Sequence, residues 1–378
     1  MSRPKLLFVV TEDWFFRSHF LPLAQRAVAE GYECVVAARD SGALADQAHI
    51  RLIDLPFSRR SLRLWDVGRQ IAALRALIAR EQPDVIHAIA LKSIALLALT
   101  RMRRPGRVFA VTGRGYFAVG RAPWTRLVSW RLRRMLRREL RAPGSVLLVE
   151  NRADAAWVVG GGAPPRDEQV VLIPGAGVDP SAFNVTPPPL SGPIIVGLVA
   201  RLIWSKGVDL AVDAVKVLRA EGMNVVLRIA GARDPQNPES VSDEEIARWR
   251  AIDGVELVGR IEDVNAFWAG AHIACLPSRG GEGLPRSLLE AAAAGRAIVT
   301  TDVPGCVDFV IDGVTGFVTP RDDVAALAAA LRKLVQDPAL RDAQGAAGRA
   351  RVLDGYTEVH AANAAVEAWQ RAVVLREP

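Results

Sequence analysis

The chain has 378 residues and a mass of 40.8 kDa, which is too long for one ordinary hydrophobic core and predicts two domains. Apolar residues make up 50% of it and charged residues 24%, a composition that excludes disordered, collagen-like and disulfide-stapled proteins. Its three cysteines, Cys34, Cys275 and Cys306, lie far apart without C-x-x-C spacing, which favours reduced thiols in a cytosolic protein.

The first half alternates between apolar strands and amphipathic helices. A strand over 5–10 is followed by a helix over about 18–30 and a strand over 33–38. A helix over 64–81 and strands over 84–88, 108–111 and 146–150 continue the pattern. The first apolar run ends too early for a signal peptide, and the best candidate for a membrane span, residues 86–102, contains His87 and Lys92. We therefore expect a parallel sheet covered on both faces, without secretion or a transmembrane helix.

A proline-rich segment over 184–193 interrupts this pattern, since such a run fits neither a helix nor a central strand. Beyond it the alternation resumes, with strands over 194–199, 225–230, 255–258, 273–276 and 297–300 separated by helices. The sequence therefore predicts two doubly wound α/β domains, residues 1–185 and 186–378. Ligands are expected at the carboxyl ends of their strands and in a cleft between them.

Charge is distributed unevenly between the two halves. Residues 1–185 hold 28 Lys and Arg against 16 Asp and Glu, whereas residues 186–378 hold 20 against 25. An excess of positive charge predicts that the first half meets an anionic partner. Nucleic acid, a phosphorylated ligand and a membrane leaflet all fit this description, and composition does not choose among them.

A glycine-rich loop follows the predicted strand over 273–276 and leads into an apolar helix. Glu282 lies in this loop, and Pro285 favours a helix start shortly before Glu290. Backbone N–H groups near Gly283 and Leu284, together with the helix start, suit phosphate oxygens. The two carboxylates could accept hydrogen bonds from sugar hydroxyls, or they could be an ordinary loop acid and an exposed helix residue.

Two cations follow the first strand of the second half. Arg201 comes directly after this strand and Lys206 lies just before the next helix, so both belong to the sheet edge that also holds Glu282. Fixed positive charges there could bind a diphosphate and stabilise it as it departs. The alternative is a pair of ordinary surface cations on a connecting loop.

Together these two segments resemble the nucleotide-sugar glycosyltransferases of family 4, which are retaining enzymes of the GT-B architecture. That family has an Arg and a Lys after the first strand of its second domain and a later Glu-x7-Glu motif, the spacing of Glu282 and Glu290. The resemblance spans nearly the whole chain, including segments 149–154, 173–179 and 303–306. It is closest to the subgroup that acts on polyprenyl-diphosphate-linked sugars or capsule precursors.

The resemblance implies two Rossmann-like domains facing across a cleft, the first binding the acceptor and the second the donor. In this architecture the last helix can return to pack on the first domain. The implied reaction moves a hexose or N-acetylhexosamine from a nucleotide sugar, with a UDP-sugar as the expected donor, to a lipid-linked or polysaccharide-precursor acceptor. It needs no metal ion and no cofactor, and no Asp-x-Asp triplet occurs in the chain.

The same resemblance assigns roles to residues. Arg201 and Lys206 would hold the donor diphosphate and assist its departure, and Glu282 would contact the hexose, which makes these three the catalytic candidates. Glu290 would accept the ribose hydroxyls. The remaining donor-binding candidates are Arg260, Ile261, Gly283 and Leu284. Retention is expected through front-face attack, in which the leaving phosphate helps to accept the proton of the acceptor.

The acceptor side departs from the family pattern. Many members place a histidine after the strand over 108–111, where this chain has Gly113, Arg114 and Gly115. These residues could approach a phosphate or simply form a tight turn. His19 could face the cleft or be a structural histidine. All four are candidates for acceptor or phosphate contacts.

An arginine-rich segment, Arg126–Arg141, reads as an interfacial helix. Leu127, Trp130, Met135 and Leu136 are expected to share its apolar stripe, and its arginines would meet an anionic membrane surface. An arginine-rich helix packed on its own domain is the alternative. We expect a cytoplasmic enzyme bound peripherally to the inner face of the cell membrane.

Three other functions fit parts of the sequence. A nucleotide-dependent oxidoreductase would need a G-x-G-x-x-G turn after a first strand, and neither half provides one. A nucleic-acid-binding protein could use the arginine-rich helix, but the chain lacks RNA-recognition and helix-turn-helix signatures, so no nucleic-acid partner is expected. A non-catalytic sugar-nucleotide binder would share the donor residues.

Overall fold

Alternating strands and helices form the first half of the chain in the computed structural model, which describes residues 3–58, 63–115, 123–160, 167–187 and 191–376. In chain order the elements are β1 (Lys5–Glu12), α1 (Asp13–Ala29), β2 (Glu33–Arg39), β3 (Ile50–Asp54), α2 (Leu64–Glu81), β4 (Val85–Ile89), α3 (Ala90–Thr100), β5 (Gly106–Val111), α4 (Pro123–Leu140), β6 (Ser145–Val149), α5 (Arg152–Val159) and β7 (Val170–Leu172).

The second half continues in the same way. Its elements are β8 (Ile194–Val199), α6 (Val208–Ala220), β9 (Val225–Ala230), α7 (Asp243–Arg250), β10 (Val255–Gly259), α8 (Val264–Ala269), β11 (Ile273–Leu276), α9 (Arg286–Ala293), β12 (Ala297–Thr301), α10 (Pro304–Val307), β13 (Gly316–Thr319), α11 (Val324–Gln336), α12 (Pro338–Gly355) and α13 (Glu358–Val374).

The strands form two parallel sheets. One has seven strands in the order β3-β2-β1-β4-β5-β6-β7, and the other has six in the order β10-β9-β8-β11-β12-β13. Their order reverses direction beside β1 in the first sheet and beside β8 in the second, which is the doubly wound arrangement. Strands such as β4, β5 and β6 are buried along their whole length because helices cover both faces. The predicted fold class of two doubly wound α/β domains is confirmed.

Two compact units divide the chain. The first comprises Met1–Ala176 with Glu358–Pro378, and the second comprises Gly177–Thr357. The second unit thus begins at Gly177, before the proline-rich segment. The sequence predicts the boundary between residues 185 and 186. The first unit is discontinuous in sequence, since α13 belongs to it.

Helix α1 begins at Asp13, earlier than the helix start near residue 18 that the sequence suggested. The buried Asp13 carboxylate accepts hydrogen bonds from the backbone N–H groups of Trp14, Ser41 and Ala43. It satisfies a free donor of the helix start and ties the β2–β3 connection to it. The polar segment after β1 is therefore helical.

Helix α13 completes the hydrophobic core of the first unit. Trp369 is fully buried, and its indole packs edge-on against Phe8 of β1 at a ring-centroid distance of 6.0 Å. Trp369 Nε1 donates a hydrogen bond to His87 Nδ1 at 3.0 Å. Burial lowers the pKa of His87 to about 3, so its ring stays neutral and can accept this bond.

Replacing Trp369 tests how far α13 stabilises the first unit. We expect Trp369→Ala to lower the free energy of unfolding by about 3–5 kcal/mol, because it leaves a large cavity and an unpartnered His87 Nδ1. Trp369→Phe keeps most of the apolar contact and should cost less than half as much. Urea unfolding followed by far-UV circular dichroism measures both, and an unchanged alanine variant would contradict the role given to α13.

Candidate functional site

The second sheet changes direction between β8 and β11, which pair in parallel. The loops that leave the carboxyl ends of these two strands therefore separate towards opposite sides of the sheet, leaving a crevice in which α/β proteins commonly bind ligands. Arg201 and Lys206 lie in the loop after β8, and Glu282 lies in the loop after β11. The predicted residues thus belong to the edge where a site is expected.

Lys206 and Glu282 form an ion pair that joins the two loops. Lys206 Nζ lies 2.7 Å from each carboxylate oxygen of Glu282, and the two side chains are only 17% and 10% exposed. Ser278 Oγ donates to Glu282 Oε1 at 2.8 Å and also lies 3.1 Å from the carbonyl oxygen of Ser205. Ser278 therefore orients the carboxylate, a role that was missed from sequence although this serine lies only two residues beyond the end of β11.

Glycines allow the loops of this edge to approach each other closely. A Cβ on Gly207 would lie 1.9 Å from the carbonyl oxygen of Pro277, and a Cβ on Gly305 would lie 1.4 Å from that of Gly283. Atoms cannot come so near, so these contacts exist only because neither residue has a side chain. The backbone path on either side of Glu282 is consequently fixed by main-chain packing.

Arg201 points to a different acid from Lys206. Its side chain is 49% exposed, and Nη1 lies 2.7 Å from Asp234 Oδ2 in the loop after β9. Asp234 is a site residue that the sequence analysis did not identify. Arg201 is accessible for a ligand, but within the described residues it forms no ion pair with Glu282.

Glu290 is buried rather than exposed on its helix. Arg286, one turn earlier in α9, has its Nε 2.9 Å from Glu290 Oε1. Burial raises the pKa of the Glu290 carboxyl, and the nearby Arg286 partly opposes the rise. The interpretation of Glu290 as an ordinary surface residue is therefore wrong. Its carboxylate is a buried hydrogen-bond acceptor in the first turns of α9, after the glycine-rich loop.

Arg279 stabilises the loop after β11 through ion pairs with other segments. Its guanidinium makes two bonds of 2.7 Å to the Asp209 carboxylate and one of 2.6 Å to Asp322, and it also donates to the carbonyl oxygen of Trp204. These contacts connect the β11 loop to the start of α6. Arg279 was also missed from sequence, since nothing local distinguishes it from a solvated arginine.

The remaining donor candidates lie on the loops of the same edge. Arg260, after β10, is exposed, and Ile261 is half-buried against the apolar cluster that contains Leu284. Gly283 and Leu284 are buried between the loop and α9. The structure thus brings Lys206 and Glu282 into direct contact, whereas Arg201 and Glu290 take other partners on the same edge.

The acceptor candidates lie in the first unit. Arg114 Nε is 2.9 Å from Asp154 Oδ1, and the buried Asp154 also takes part in the cap of α5 with Asn151. Gly113 and Gly115 have φ of +91° and +50°, which favours glycine. Arg114 therefore anchors a turn.

His19 is half-buried in α1 and packs on Phe15 with ring centroids 4.6 Å apart. Its Nδ1 lies 2.6 Å from Ser18 Oγ. These contacts with residues of its own helix orient the imidazole. His19 therefore has a structural role in α1 that does not depend on a ligand.

Helix α4 differs from the predicted apolar stripe. Leu136 is fully buried, and Met135 packs against the same core cluster. Leu127 and Trp130 are each 48% exposed, on the opposite side with Trp124. A single stripe containing all four predicted residues is wrong, because a helical period of 3.6 residues places Leu136 on the face away from Leu127.

Neither a metal centre nor a membrane span is found in the described part of the chain. No group of three or more His, Cys, Asp or Glu residues there could hold a metal ion. No described helix combines the length and the apolar character that crossing a bilayer requires. Cys34, Cys275 and Cys306 are buried, and burial raises the pKa of each thiol to about 12.

Both halves of the chain match models of glycosyltransferase families. Residues 5–140 match "Glycosyl transferase 4-like" and residues 193–337 match "Glycosyl transferases group 1". The capsular polysaccharide biosynthesis glycosyltransferase CapM of Staphylococcus aureus is 29% identical over 168 residues, which are 44% of this chain and 43% of CapM. The match therefore spans less than half the length of that relative.

A longer match joins the chain to a Campylobacter jejuni protein, N,N'-diacetylbacillosaminyl-diphospho-undecaprenol alpha-1,3-N-acetylgalactosaminyltransferase. The two are 26% identical over 311 residues, which are 77% of this chain and 78% of that protein.

Solved structures share the fold over nearly the entire chain. Sucrose-phosphate synthase from Thermosynechococcus elongatus has a TM-score of 0.78 at 20% identity and covers 96% of this chain and 97% of its own. Anabaena HepE in complex with UDP and glucose has a TM-score of 0.77 at 18% identity and covers 95% and 97%. At these identities the likeness establishes the fold, which is GT-B.

The close contact at Gly305 gives a test of the loop geometry. We expect Gly305→Ala to lower the free energy of unfolding by about 1–3 kcal/mol, because its methyl group must displace the Gly283 carbonyl. Gly348→Ala is the matched control, since a Cβ there would lie 3.5 Å from Ala292 Cβ, an ordinary contact in the middle of α12. Thermal unfolding compares the two, and equal stability of both variants would contradict the packing described at Gly305.

Proposed function

The chain belongs to the family 4 glycosyltransferases of GT-B fold, and from this premise we propose that it moves a hexose or N-acetylhexosamine from a nucleotide sugar, with retention of configuration, to a lipid-linked or polysaccharide-precursor acceptor. The observation that supports this most directly is the Lys206–Glu282 pair at the switch point of the second sheet. A half-buried cation and a carboxylate in one crevice suit a ligand that combines phosphate with hydroxyl groups.

The donor would bind to this edge through its diphosphate. Lys206 Nζ points at Glu282 in the free protein, so an incoming phosphate oxygen would compete for the same ammonium protons. Arg201, which is half-exposed, would supply a second cation from the same loop. UDP is the donor nucleotide that we favour, because HepE, with the same fold, binds UDP and glucose.

Release from Lys206 would leave Glu282 able to accept hydrogen bonds from the hexose hydroxyls. Ser278 would keep the carboxylate in place, since it bonds Glu282 independently of the lysine. Glu290, buried beyond the glycine-rich loop, would accept the ribose hydroxyls. The N–H groups near Gly283 and Leu284 would add partial positive charge from the start of α9.

Chemistry at this site would rest on leaving-group stabilisation. As the glycosidic bond to phosphate breaks, negative charge grows on the departing diphosphate, and Lys206 and Arg201 would stabilise it without a metal ion. The departing phosphate would help to take the proton of the attacking hydroxyl on the same face, which gives retention. Glu282 would position the sugar, and no protein nucleophile is required.

The acceptor would meet the first unit, where the positive charge is concentrated. Trp124, Leu127 and Trp130 are about half exposed on one side of α4, next to arginines such as Arg131 and Arg134. Apolar and cationic side chains on one helix face suit an anionic membrane surface. The name of the C. jejuni relative specifies an undecaprenol-linked acceptor, which supports a lipid-linked acceptor here. A peripheral position on the inner leaflet would bring the enzyme to such an acceptor.

Substitution of Lys206 tests the donor site. We expect Lys206→Ala to lower kcat/KM by at least about 100-fold with UDP-sugar donors, because one charge-stabilising group for the leaving diphosphate is lost. Lys216→Ala is the matched control, as Lys216 is an exposed lysine of α6 paired with Asp213. Radiolabelled transfer to a lipid-diphosphate acceptor measures both. UDP-sugar binding without any turnover in the wild type would instead indicate a non-catalytic binder.

Substitutions in α4 test the membrane surface. We expect Trp124→Ser, Leu127→Ser and Trp130→Ser together to weaken cosedimentation with phosphatidylglycerol vesicles at least about tenfold, because three partly exposed apolar groups no longer enter the interface. The control replaces Val217, Val258 and Leu353, which are 39%, 46% and 51% exposed in the second unit, with serine. Equal sedimentation of both triple variants would show that α4 is not the contact.

A further inference from the structure

A pocket of about 540 Å³ opens at the amino-terminal edge of the first sheet. Its lining contains five arginines, namely Arg103, Arg104, Arg138, Arg141 and Arg376, together with Ala142 and Pro143. They come from the α3–β5 loop, the end of α4 and the segment after α13. Segments that are far apart in sequence therefore place five positively charged side chains in one pocket.

This pocket is separate from both proposed ligand edges. Its loops lead into the first residues of β5 and β6, whereas the acceptor candidates follow the carboxyl ends of strands. The Lys206–Glu282 pair belongs to the second unit. None of the residues that line the arginine pocket is a proposed donor or acceptor contact.

Backbone packing holds the pocket together. Gly144 has φ of +67° and donates its N–H to the carbonyl oxygen of Leu375 at 2.9 Å. A Cβ on Gly144 would lie 3.0 Å from Arg376 Cβ, and one on Gly106 would lie 2.9 Å from the carbonyl oxygen of Ala372. These glycines let the segment after α13 sit directly on the β6 turn, which fixes Arg376 beside the end of α4.

The acidic groups nearby do not neutralise this charge. Arg103 Nη2 is 3.4 Å from Glu139 Oε1, but Glu139 is buried and already pairs with the buried Arg107 at 2.5 Å. Arg104, Arg138, Arg141 and Arg376 form no ion pair with any residue that the structure describes. Cations gathered in a pocket repel each other unless an anion joins them, and the guanidinium fork matches phosphate oxygens.

We propose that this pocket binds a phosphate-bearing anion, either a diphosphate or the phosphomonoester headgroup of a lipid, as a second anion site of the molecule. The proposal does not depend on the glycosyltransferase reaction. Its chemistry is the same for both sources, namely several guanidinium groups on oxygens of a multiply charged phosphate.

Helix α4 connects the pocket to an apolar surface. Leu127, Trp130, Arg134, Arg138 and Arg141 follow one another at intervals of three and four residues and so share one face. The guanidinium of Arg134 lies 5.8 Å from the Trp130 ring centroid. A lipid phosphate in the pocket would therefore lie on the face that also exposes Leu127 and Trp130.

Calorimetric titration with inorganic pyrophosphate tests the site directly. All proteins carry Arg201→Ala and Lys206→Ala, so that the proposed donor site cannot contribute. The pocket variant adds Arg138→Gln and Arg141→Gln, and the control adds Arg69→Gln and Arg75→Gln, which remove equal charge from exposed positions of α2 outside the pocket lining. We expect the pocket variant to bind pyrophosphate at least about tenfold more weakly and the control to bind unchanged.

Vesicle arms identify the source of the phosphate. Sedimentation with phosphatidylcholine vesicles, with and without phosphatidic acid, is compared for the same proteins after thermal unfolding has shown equal stability. Loss of pyrophosphate and phosphatidic acid binding in the pocket variant alone supports a lipid headgroup, and loss of pyrophosphate alone supports a free phosphate. The proposal would be overturned if both variants bound equally weakly. It would also be overturned if the protein bound no pyrophosphate before the pocket is changed.

Discussion

The ion pair between Lys206 and Glu282 is the constraint on which the geometry of the second unit's ligand edge depends. Taking an ammonium group out of water is costly unless an anion accompanies it. In the free protein the Glu282 carboxylate is that anion, and Ser278 donates a hydrogen bond to it. An anionic ligand at this edge must therefore displace a carboxylate that is already well placed, which couples its binding to the release of Glu282.

Main-chain packing is what makes such a pair possible. The loops after β8 and β11 are held close by contacts at Gly207 and Gly305 that no larger residue permits. Arg279 then secures the outer side through Asp209 and Asp322. The rigidity of the edge comes from these main-chain and Arg279 contacts, which hold Lys206 and Glu282 in place.

Hydrophobic patterning predicted most of the fold. Fully buried parallel strands such as β4 and β6 are continuous apolar runs, and helix α2 matched its predicted limits, since its apolar period is regular. The start of α1 differed because the Asp13 carboxylate organises it through distant backbone groups. Sequence alone also misplaced Leu136, whose burial depends on which side of α4 faces the core.

The candidate site was predicted less completely. The chain order of strands was enough to bring Lys206 and Glu282 to one edge, but Ser278, Asp234 and Arg279 were missed. Their roles depend on the detailed path of the loops, which the glycine contacts determine and local sequence does not express. The roles of the predicted donor and acceptor residues stay predictions.

The discontinuous first unit has a consequence for biosynthesis. A ribosome that has completed residues 1–176 must still translate 177–357 before the helix that covers Phe8 and His87 emerges. Until then the apolar face that Trp369 covers is open to solvent. The nascent chain therefore exposes an aggregation-prone hydrophobic surface throughout the synthesis of its second unit. The half that is made first is thus the last to mature.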